Sequence, residues 1–248
     1  MKKFWRVLGL SLVIVMLALS AGFLIWASFP AQPEQEALNH LNSNDEVAFE
    51  NLDGWLVFTP DPAQSETGLI LYPGGRVDYR AYAPHAQAIA SAGFTVVVVP
   101  MPLNFAFLGV NRASDVIETF PEIKQWAVGG QSLGGAMAAE YVSTVPSMVE
   151  GLVLWASYPA ESNDLSNTDL SVISIYASND GLATPQKISD SKTNLPVDTV
   201  FVETEGGNHA GFGWYGTQSG DGESEIPKEM QQDQIVNATI NFLLLLAD

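Results

Sequence analysis

Short apolar runs alternate with helical segments along most of the chain, and this order constrains the fold more than any other feature. Several runs are apolar at every position instead of at alternate positions. Strands of this kind are buried on both faces, as in a parallel sheet covered by helices. The sequence therefore predicts an α/β fold, with a mostly parallel central sheet and helices on both faces. The predicted strands of this sheet are 69–72, 94–99, 126–128, 152–155, 172–176 and 199–202.

The segments around these strands complete the prediction. A hairpin is indicated at the start of the domain, where two short apolar runs flank Asp53-Gly54. Only about a dozen residues (158–170) separate the predicted strand 152–155 from the predicted strand 172–176, which leaves no room for an inserted lid domain. The predicted helices are 79–92, 112–120, 133–145, 185–192 and 231–246.

The N-terminal segment has the pattern of a membrane anchor or a signal segment. Lys2, Lys3 and Arg6 precede a run from Val7 to Trp26 that carries no charge. The run is long enough to cross a bilayer, and its positive flank would stay in the cytoplasm. We expect an uncleaved single-pass anchor in the cell membrane, with the following domain outside the cytoplasm. The alternative is a protein secreted after cleavage, for instance after Ser20.

Three segments follow from this pattern. We expect residues 1–30 to form the anchor or signal segment, 31–45 a polar linker, and 46–248 one α/β domain, for which this length is sufficient. The formal charge is −18, and without the first six residues it is about −21. So acidic a body disfavours nucleic acid as a partner. No motif indicates an oligomeric state.

The chemistry is indicated by the pentapeptide Gly130-Gln131-Ser132-Leu133-Gly134. It follows a predicted strand and precedes a helix of small residues, as a nucleophile elbow does. Such a turn exposes the serine hydroxyl above the sheet. The backbone N–H of Leu133, at the start of the helix, can face a developing oxyanion. We therefore expect Ser132 to be the nucleophile.

A serine nucleophile needs a base, and the chain has three histidines. His40 lies in the polar linker and His85 on an alanine-rich helix. His209 follows the last predicted strand, at the sheet edge where α/β proteins place their chemistry, and it comes after Ser132 in the chain. This position favours His209 as the base.

The acid of the triad is expected between Ser132 and His209. Asp180 comes just after the buried strand 172–176, whereas the rivals Asp164 and Asp169 follow the preceding strand. We therefore favour Asp180 as the acid that orients the imidazole. A second oxyanion donor is expected in the turn Pro73-Gly74-Gly75-Arg76, with Gly75 as the first choice and Arg76 as the second.

These motifs carry a resemblance to the α/β-hydrolase superfamily, from about residue 46 to the C-terminus. More narrowly, the chain resembles a compact bacterial group without a lid. That group has a Tyr-Pro-Gly-Gly turn, a Gly-x-Ser-Leu-Gly-Gly elbow, an Asn-Asp-Gly acid turn and a Gly-Asn-His-Ala base turn. The resemblance implies a nucleophile at Ser132, an acid at Asp180 and a base at His209. The four motifs occur at 72–75, 130–135, 179–181 and 207–210.

The expected activity is hydrolysis of a small-molecule or lipid-like carboxylic ester through an acyl-enzyme. Thioesters or amides could use the same triad, and a non-enzymatic, membrane-tethered binding protein on this fold is a further alternative. The chain has no cysteine and no metal-binding motif, so we predict neither a metal nor a cofactor. Two aromatic-rich loops, 102–110 and 210–226, are candidates either for loop packing or for substrate contact.

Overall fold

The structure is a computed structural model that describes residues 2–145 and 148–247. Lys2 and Lys3 of the predicted positive flank have no described side chains, and Pro146, expected to follow the central helix, lies outside the described residues. The helices are α1 (Lys2–Ala27), α2 (Gln35–Asn39), α3 (Ala83–Ser91), α4 (Arg112–Thr119), α5 (Leu133–Thr144), α6 (Pro185–Ser191) and α7 (Lys228–Ala247).

One sheet of eight strands forms the centre of the domain, in the order β1-β2-β4-β3-β5-β6-β7-β8. The N-terminal hairpin of β1 and β2 is antiparallel and joins β4 antiparallel, while all other neighbours are parallel. The strands are β1 (Val47–Leu52), β2 (Trp55–Pro60), β3 (Thr67–Tyr72), β4 (Thr95–Val98), β5 (Gln125–Gln131), β6 (Gly151–Trp155), β7 (Ser171–Ala177) and β8 (Val200–Thr204).

Helices cover both faces of the sheet and bury its apolar strands. Helices α3 and α7 pack on one face, and α4 and α5 pack on the other. Every residue of β3, β4 and β6 is buried, as their all-apolar sequences predict. Residues 156–170, all of them described, contain no helix. The predicted α/β-hydrolase fold without a large lid is confirmed.

The predicted helix 79–92 differs from the structure at its start. Residues Tyr79–Tyr82 form a single 3-10 turn, and the α-helix begins only at Ala83. The side chain of Asp78 accepts a hydrogen bond from Arg80 N and ends the preceding extended segment. Pro84 then lies in the first turn of α3, where its missing N–H has no cost.

The segment 31–45 lies along the surface of the domain. Ala31 forms a parallel bridge with Val77, and Ala37 of α2 is fully buried. Glu34 N donates to Trp214 O at 2.7 Å, and the Glu34 carboxylate pairs with Lys228 Nζ at 2.7 Å. The segment 31–45 is thus packed against the domain in the structure. The division of the chain into three segments stays a prediction.

Candidate active site

The turn between β5 and α5 places Ser132 in a strained backbone conformation. Its φ is 53° and its ψ is −120°, a backbone conformation that residues other than glycine rarely adopt. The surroundings fix the turn: Ser132 N donates to Trp155 O at 2.9 Å, and Ser157 Oγ donates to Ser132 O at 2.6 Å. Gly134 has no room for a side chain, because an added Cβ would collide with the carbonyl oxygen of Tyr72. This is the geometry of a nucleophile elbow at the carboxyl edge of the sheet.

The structure brings His209 and Asp180 together beside this edge. The Nδ1–H of His209 donates to Asp180 Oδ2 at 2.7 Å, and both side chains are buried. The other oxygen, Oδ1, accepts from Leu182 N and Ala183 N, each at 2.7 Å. A carboxylate only accepts, so this arrangement keeps the proton on Nδ1 and leaves Nε2 with a free lone pair.

Ser132 and His209 line one cavity of about 290 Å³. His209 Nε2 is buried and has no hydrogen-bond partner within the described part of the chain. Catalytic hydrogen bonds are often long until a substrate binds, so an open Ser132–His209 contact fits a resting site. A larger cavity of about 640 Å³, between α7 and the β7–β8 edge, is lined by no serine or histidine. The smaller cavity is lined by Ser132, Leu133, Ala136, Ala156, Ser157, Tyr158, Leu182, Ala183 and His209.

The turn after β3 lies next to the elbow, and the N–H of Gly75 is the one in this turn that has no partner within the described residues. A Cβ added at Gly75 would lie 3.1 Å from Leu133 Cδ2, so the two backbones are neighbours. Gly74 N donates to the Tyr82 hydroxyl at 2.9 Å, and Arg76 N donates to Asn104 O at 2.7 Å. Both flanking N–H groups are therefore occupied, and Gly75 is preferred over Arg76 as a donor to an oxyanion.

The remaining histidines lie away from this cavity. His85 packs on Trp155 with ring centroids 5.1 Å apart, and burial lowers the pKa of His85 to about 3. His40 contacts Gln87 at 2.6 Å and Glu36 at 3.2 Å near the surface. His85 is therefore a neutral side chain of the core.

The rival acids are both exposed. Asp164 accepts a hydrogen bond from Ser166 N at 2.9 Å, and the pKa of Asp164 is lowered by its hydrogen bonds to Ser166. Asp169, like Asp164, forms no hydrogen bond to His209 in the described structure. The structure thus pairs His209 with Asp180 and with neither rival.

A buried network of hydrogen bonds that the sequence did not predict joins the turn 73–76 to the loop that follows β8. The Tyr82 hydroxyl accepts from Gly74 N and donates to Gln131 Oε1 at 2.9 Å. Gln131 Nε2 donates to the Tyr215 hydroxyl at 3.2 Å. Burial raises the pKa of both tyrosines, so both stay neutral donors. Gln131 occupies a variable position of the elbow motif, so no motif indicated its role.

Asp221 is a second residue that sequence reasoning missed. It lies in the loop 210–226, and its carboxylate accepts four backbone N–H groups from the acid turn, the base turn and its own loop. The carboxylate thereby fixes the backbone of His209 against that of Asp180. The donors are Gly181 N at 3.2 Å, His209 N at 3.1 Å, Ala210 N at 2.8 Å and Gly222 N at 2.8 Å.

Substitution of Asp221 by Asn should therefore disturb the site without touching the reacting groups. One oxygen becomes an NH₂ group that faces N–H donors, which should cost about 1–3 kcal/mol of the free energy of unfolding. A small displacement of the base should lower kcat by about 10²-fold. Urea unfolding and steady-state kinetics measure both effects. Asp233→Asn, on the exposed face of α7, is the matched control; equal kinetics in the two variants would remove the positioning role of Asp221.

The two aromatic-rich loops have different surroundings. In 210–226, Phe212 and Tyr215 are buried in the core, so these rings serve packing. In 102–110, Phe105 stacks on Phe23 of α1, with ring centroids 6.0 Å apart. Neither loop contributes an aromatic ring to the cavity of Ser132 and His209.

Comparison with known proteins shows the family to which the chain belongs. A sequence model of the alpha/beta hydrolase family matches residues 68–233. The chain belongs to the α/β-hydrolase family, as the fold and the elbow indicate. No curated protein matches the chain.

Solved structures show the same fold at low identity. A predicted CIB-like hydrolase from Thermoplasma acidophilum is 15% identical, with a TM-score of 0.57 over 81% of this chain and 98% of the other. A monoacylglycerol lipase from Paleococcus ferrophilus is 13% identical, with a TM-score of 0.58 over 77% and 98%. Esterase 2 from Thermogutta terrifontis, phosphonylated by sarin, is 12% identical, with a TM-score of 0.59 over 82% and 95%.

Proposed function

We propose that this protein is a serine hydrolase that cleaves carboxylic esters through an acyl-enzyme. The observation that carries the proposal is the buried imidazole of His209: Asp180 binds its Nδ1, its Nε2 has no hydrogen-bond partner within the described residues, and His209 and Ser132 line the same cavity. This is the constellation that activates a serine hydroxyl. Of the similar structures, one is named an esterase and one a monoacylglycerol lipase, which supports an ester as the substrate.

The proposed reaction uses Ser132, His209 and Asp180 as a catalytic triad. Nε2 of His209 takes the proton of Ser132 Oγ as the oxygen attacks the ester carbonyl. The N–H groups of Leu133 and Gly75 stabilise the oxyanion, and the imidazolium then protonates the departing alcohol. Water attacks the acyl-enzyme with His209 again as the base, and Ser132 is restored. Asp180 stabilises the imidazolium in both steps without itself taking the proton.

Thioesters and amides could be attacked by the same groups. The ester is preferred over the amide because an alcohol leaves the tetrahedral intermediate more readily than an amine. It is preferred over the thioester because two of the similar structures are named an esterase and a monoacylglycerol lipase.

Two measurements test the proposal on the full chain. A fluorophosphonate probe should label one serine per chain, and nitrophenyl esters from acetate to palmitate should be hydrolysed. The order of rates along the panel defines the preferred acyl length. An intact, folded protein that neither reacts with the probe nor hydrolyses any ester of the panel would instead be a binding protein, and the proposal would fail.

We further propose that α1 is retained as a single-pass anchor, with the domain outside the cytoplasm. The segment Phe4–Ala27 contains a stretch of 18 residues that has a mean hydropathy of 2.6 and is not buried by the rest of the molecule. By length and composition the segment fits a signal anchor or a signal peptide. The domain contacts its end: Arg76 donates to Phe29 O at 2.7 Å and Asn104 to Ala27 O at 2.9 Å. Mass spectrometry of the mature N-terminus decides: a chain starting near residue 21 would mean cleavage.

A further inference from the structure

The C-terminal end of α1 is bound directly by the loops that follow β3 and β4. The guanidinium of Arg76 lies 3.9 Å from the centre of the Trp26 ring and donates to the carbonyls of Trp26 and Phe29. Phe105 packs on Trp26, with ring centroids 5.8 Å apart. Arg76 thus satisfies carbonyls that the helix end leaves free.

The connection between helix and domain is too short to separate them. Three residues, 28–30, join α1 to Ala31, whose N–H donates to Arg76 O at 2.7 Å. Three extended residues reach roughly 11 Å. If α1 crosses a bilayer, the loops after β3 and β4 must lie at the membrane surface.

These loops continue the apolar surface of the helix. Phe107 and Leu108 are 49% and 47% exposed, and Phe29 is 69% exposed. Aromatic rings are enriched at the level of the lipid headgroups, and a long cationic side chain such as Arg76 tolerates that level. We name this surface the apolar patch; it consists of Phe23, Trp26, Phe29, Phe105, Phe107 and Leu108.

The charge distribution agrees with a membrane as the occupant of the patch. The chain has 28 acidic residues, yet none lies between Asp78 and Asp115, the stretch that contains Phe105, Phe107 and Leu108 of the patch. That stretch contains Arg80 and Arg112, and Arg76 lies just before it. The loop after β4 therefore carries no acidic side chain that an anionic surface would repel.

The triad lies on the same edge of the sheet. The carboxyl ends of parallel strands meet at one edge, and this edge carries the patch loops after β3 and β4, Ser132 after β5, Asp180 after β7 and His209 after β8. The link is also local, since Arg76 binds the helix end while Gly75, its neighbour in the chain, is the proposed oxyanion donor.

We propose that the apolar patch inserts into the surface of the bilayer that holds α1, so that the catalytic edge faces the membrane and the substrate is an ester dissolved in that bilayer. The substrate class rests on the proposed ester hydrolysis; the orientation rests on the contacts of α1 alone. An acyl chain then reaches the cavity of Ser132 without crossing water.

The absence of cysteine allows a clean test of the orientation. Leu108→Cys and Val197→Cys, in the otherwise unchanged full chain, each receive one NBD fluorophore. Val197 is 95% exposed and precedes β8, at the opposite edge of the sheet. Each protein is reconstituted into phosphatidylcholine vesicles with and without nitroxide-labelled phosphatidylcholine.

The label at position 108 should lose emission to the lipid nitroxide, and the label at position 197 should not. Equal quenching at the two positions overturns the orientation. A blue-shifted emission at position 108 without quenching would mean that protein, such as a second copy of the chain, covers the patch, and it overturns the proposal as well.

A second arm tests the substrate class. Leu108→Asp should lower the rate on a long-chain monoacylglycerol in vesicles by about tenfold, because an exposed leucine at the interface is replaced by a charge. The rate on nitrophenyl acetate in water should be unchanged, as should both rates in the control Val197→Asp. Equal losses on both substrates overturn the proposal. If the unmodified protein hydrolyses no ester, the proposed function fails, while the quenching still decides the orientation.

Discussion

Substitution of Ser132 by Ala should abolish ester hydrolysis, with a loss of about 10⁶ in kcat, the scale seen when a triad serine is removed. The reason is the loss of the acyl-enzyme route, which leaves only the binding and oxyanion contributions of the cavity. Alanine keeps a Cβ at φ 53°, so the elbow is equally strained and the unfolding midpoint should change little. Initial rates on the best nitrophenyl ester measure the loss.

Ser157→Ala is the matched control for this variant, because Ser157 lines the same cavity. Its hydroxyl donates to Ser132 O at 2.6 Å, so its removal should cost about 1 kcal/mol of the free energy of unfolding. A fluorophosphonate should still label Ser157→Ala once per chain and should leave Ser132→Ala unlabelled. Labelling of Ser132→Ala would assign the nucleophile to another residue.

The parts of the site that the sequence predicts are those carried by local geometry. Ser132 sits between a strand and a helix of small residues, a context that can be read within about ten positions. Asp180 and His209 each follow a strand, and the carboxyl ends of parallel strands meet at one edge. Their proximity in the structure is therefore a consequence of fold class and chain order, which the alternation of apolar strands and helices already indicates.

The parts that the sequence does not predict depend on contacts between distant turns. Asp221 binds the backbone N–H of Gly181, 40 residues earlier. Because every residue except proline has a backbone N–H, the amino-acid sequence does not indicate which N–H groups a carboxylate binds. Gln131 and Tyr82 meet across 49 residues. The docking of Phe105 on α1 likewise requires the path of the whole β4 loop. An aromatic residue in a loop predicts burial somewhere without indicating the partner.

The same reasoning explains the segment 31–45. Its polar composition predicts a linker between membrane and domain, because it lacks the periodicity of a core element. In the structure it is held by specific contacts with the domain, such as the bridge of Ala31 with Val77 and the ion pair of Glu34 with Lys228. Single contacts of this kind are compatible with almost any composition.

Replacement of Asp180 by Asn should lower kcat by about 10⁴-fold, the scale known for loss of the orienting carboxylate. The structure dictates how the amide would lie. Leu182 N and Ala183 N both donate to Oδ1, so the amide oxygen must occupy this position. The NH₂ group then faces His209 Nδ1 and donates to it, which moves the imidazole proton to Nε2. An imidazole protonated at Nε2 cannot accept the proton of Ser132.

KM should change little in Asp180→Asn, because Asp180 does not line the cavity. The matched control is Asp164→Asn, which removes a carboxylate from the exposed turn before β7, where Ser166 is its only partner in the described part of the chain. Its kcat should equal that of the unmodified protein. Full activity in Asp180→Asn together with a loss in Asp164→Asn would transfer the role of the acid to Asp164, whereas a loss in Asp180→Asn alone follows from the forced orientation of its amide.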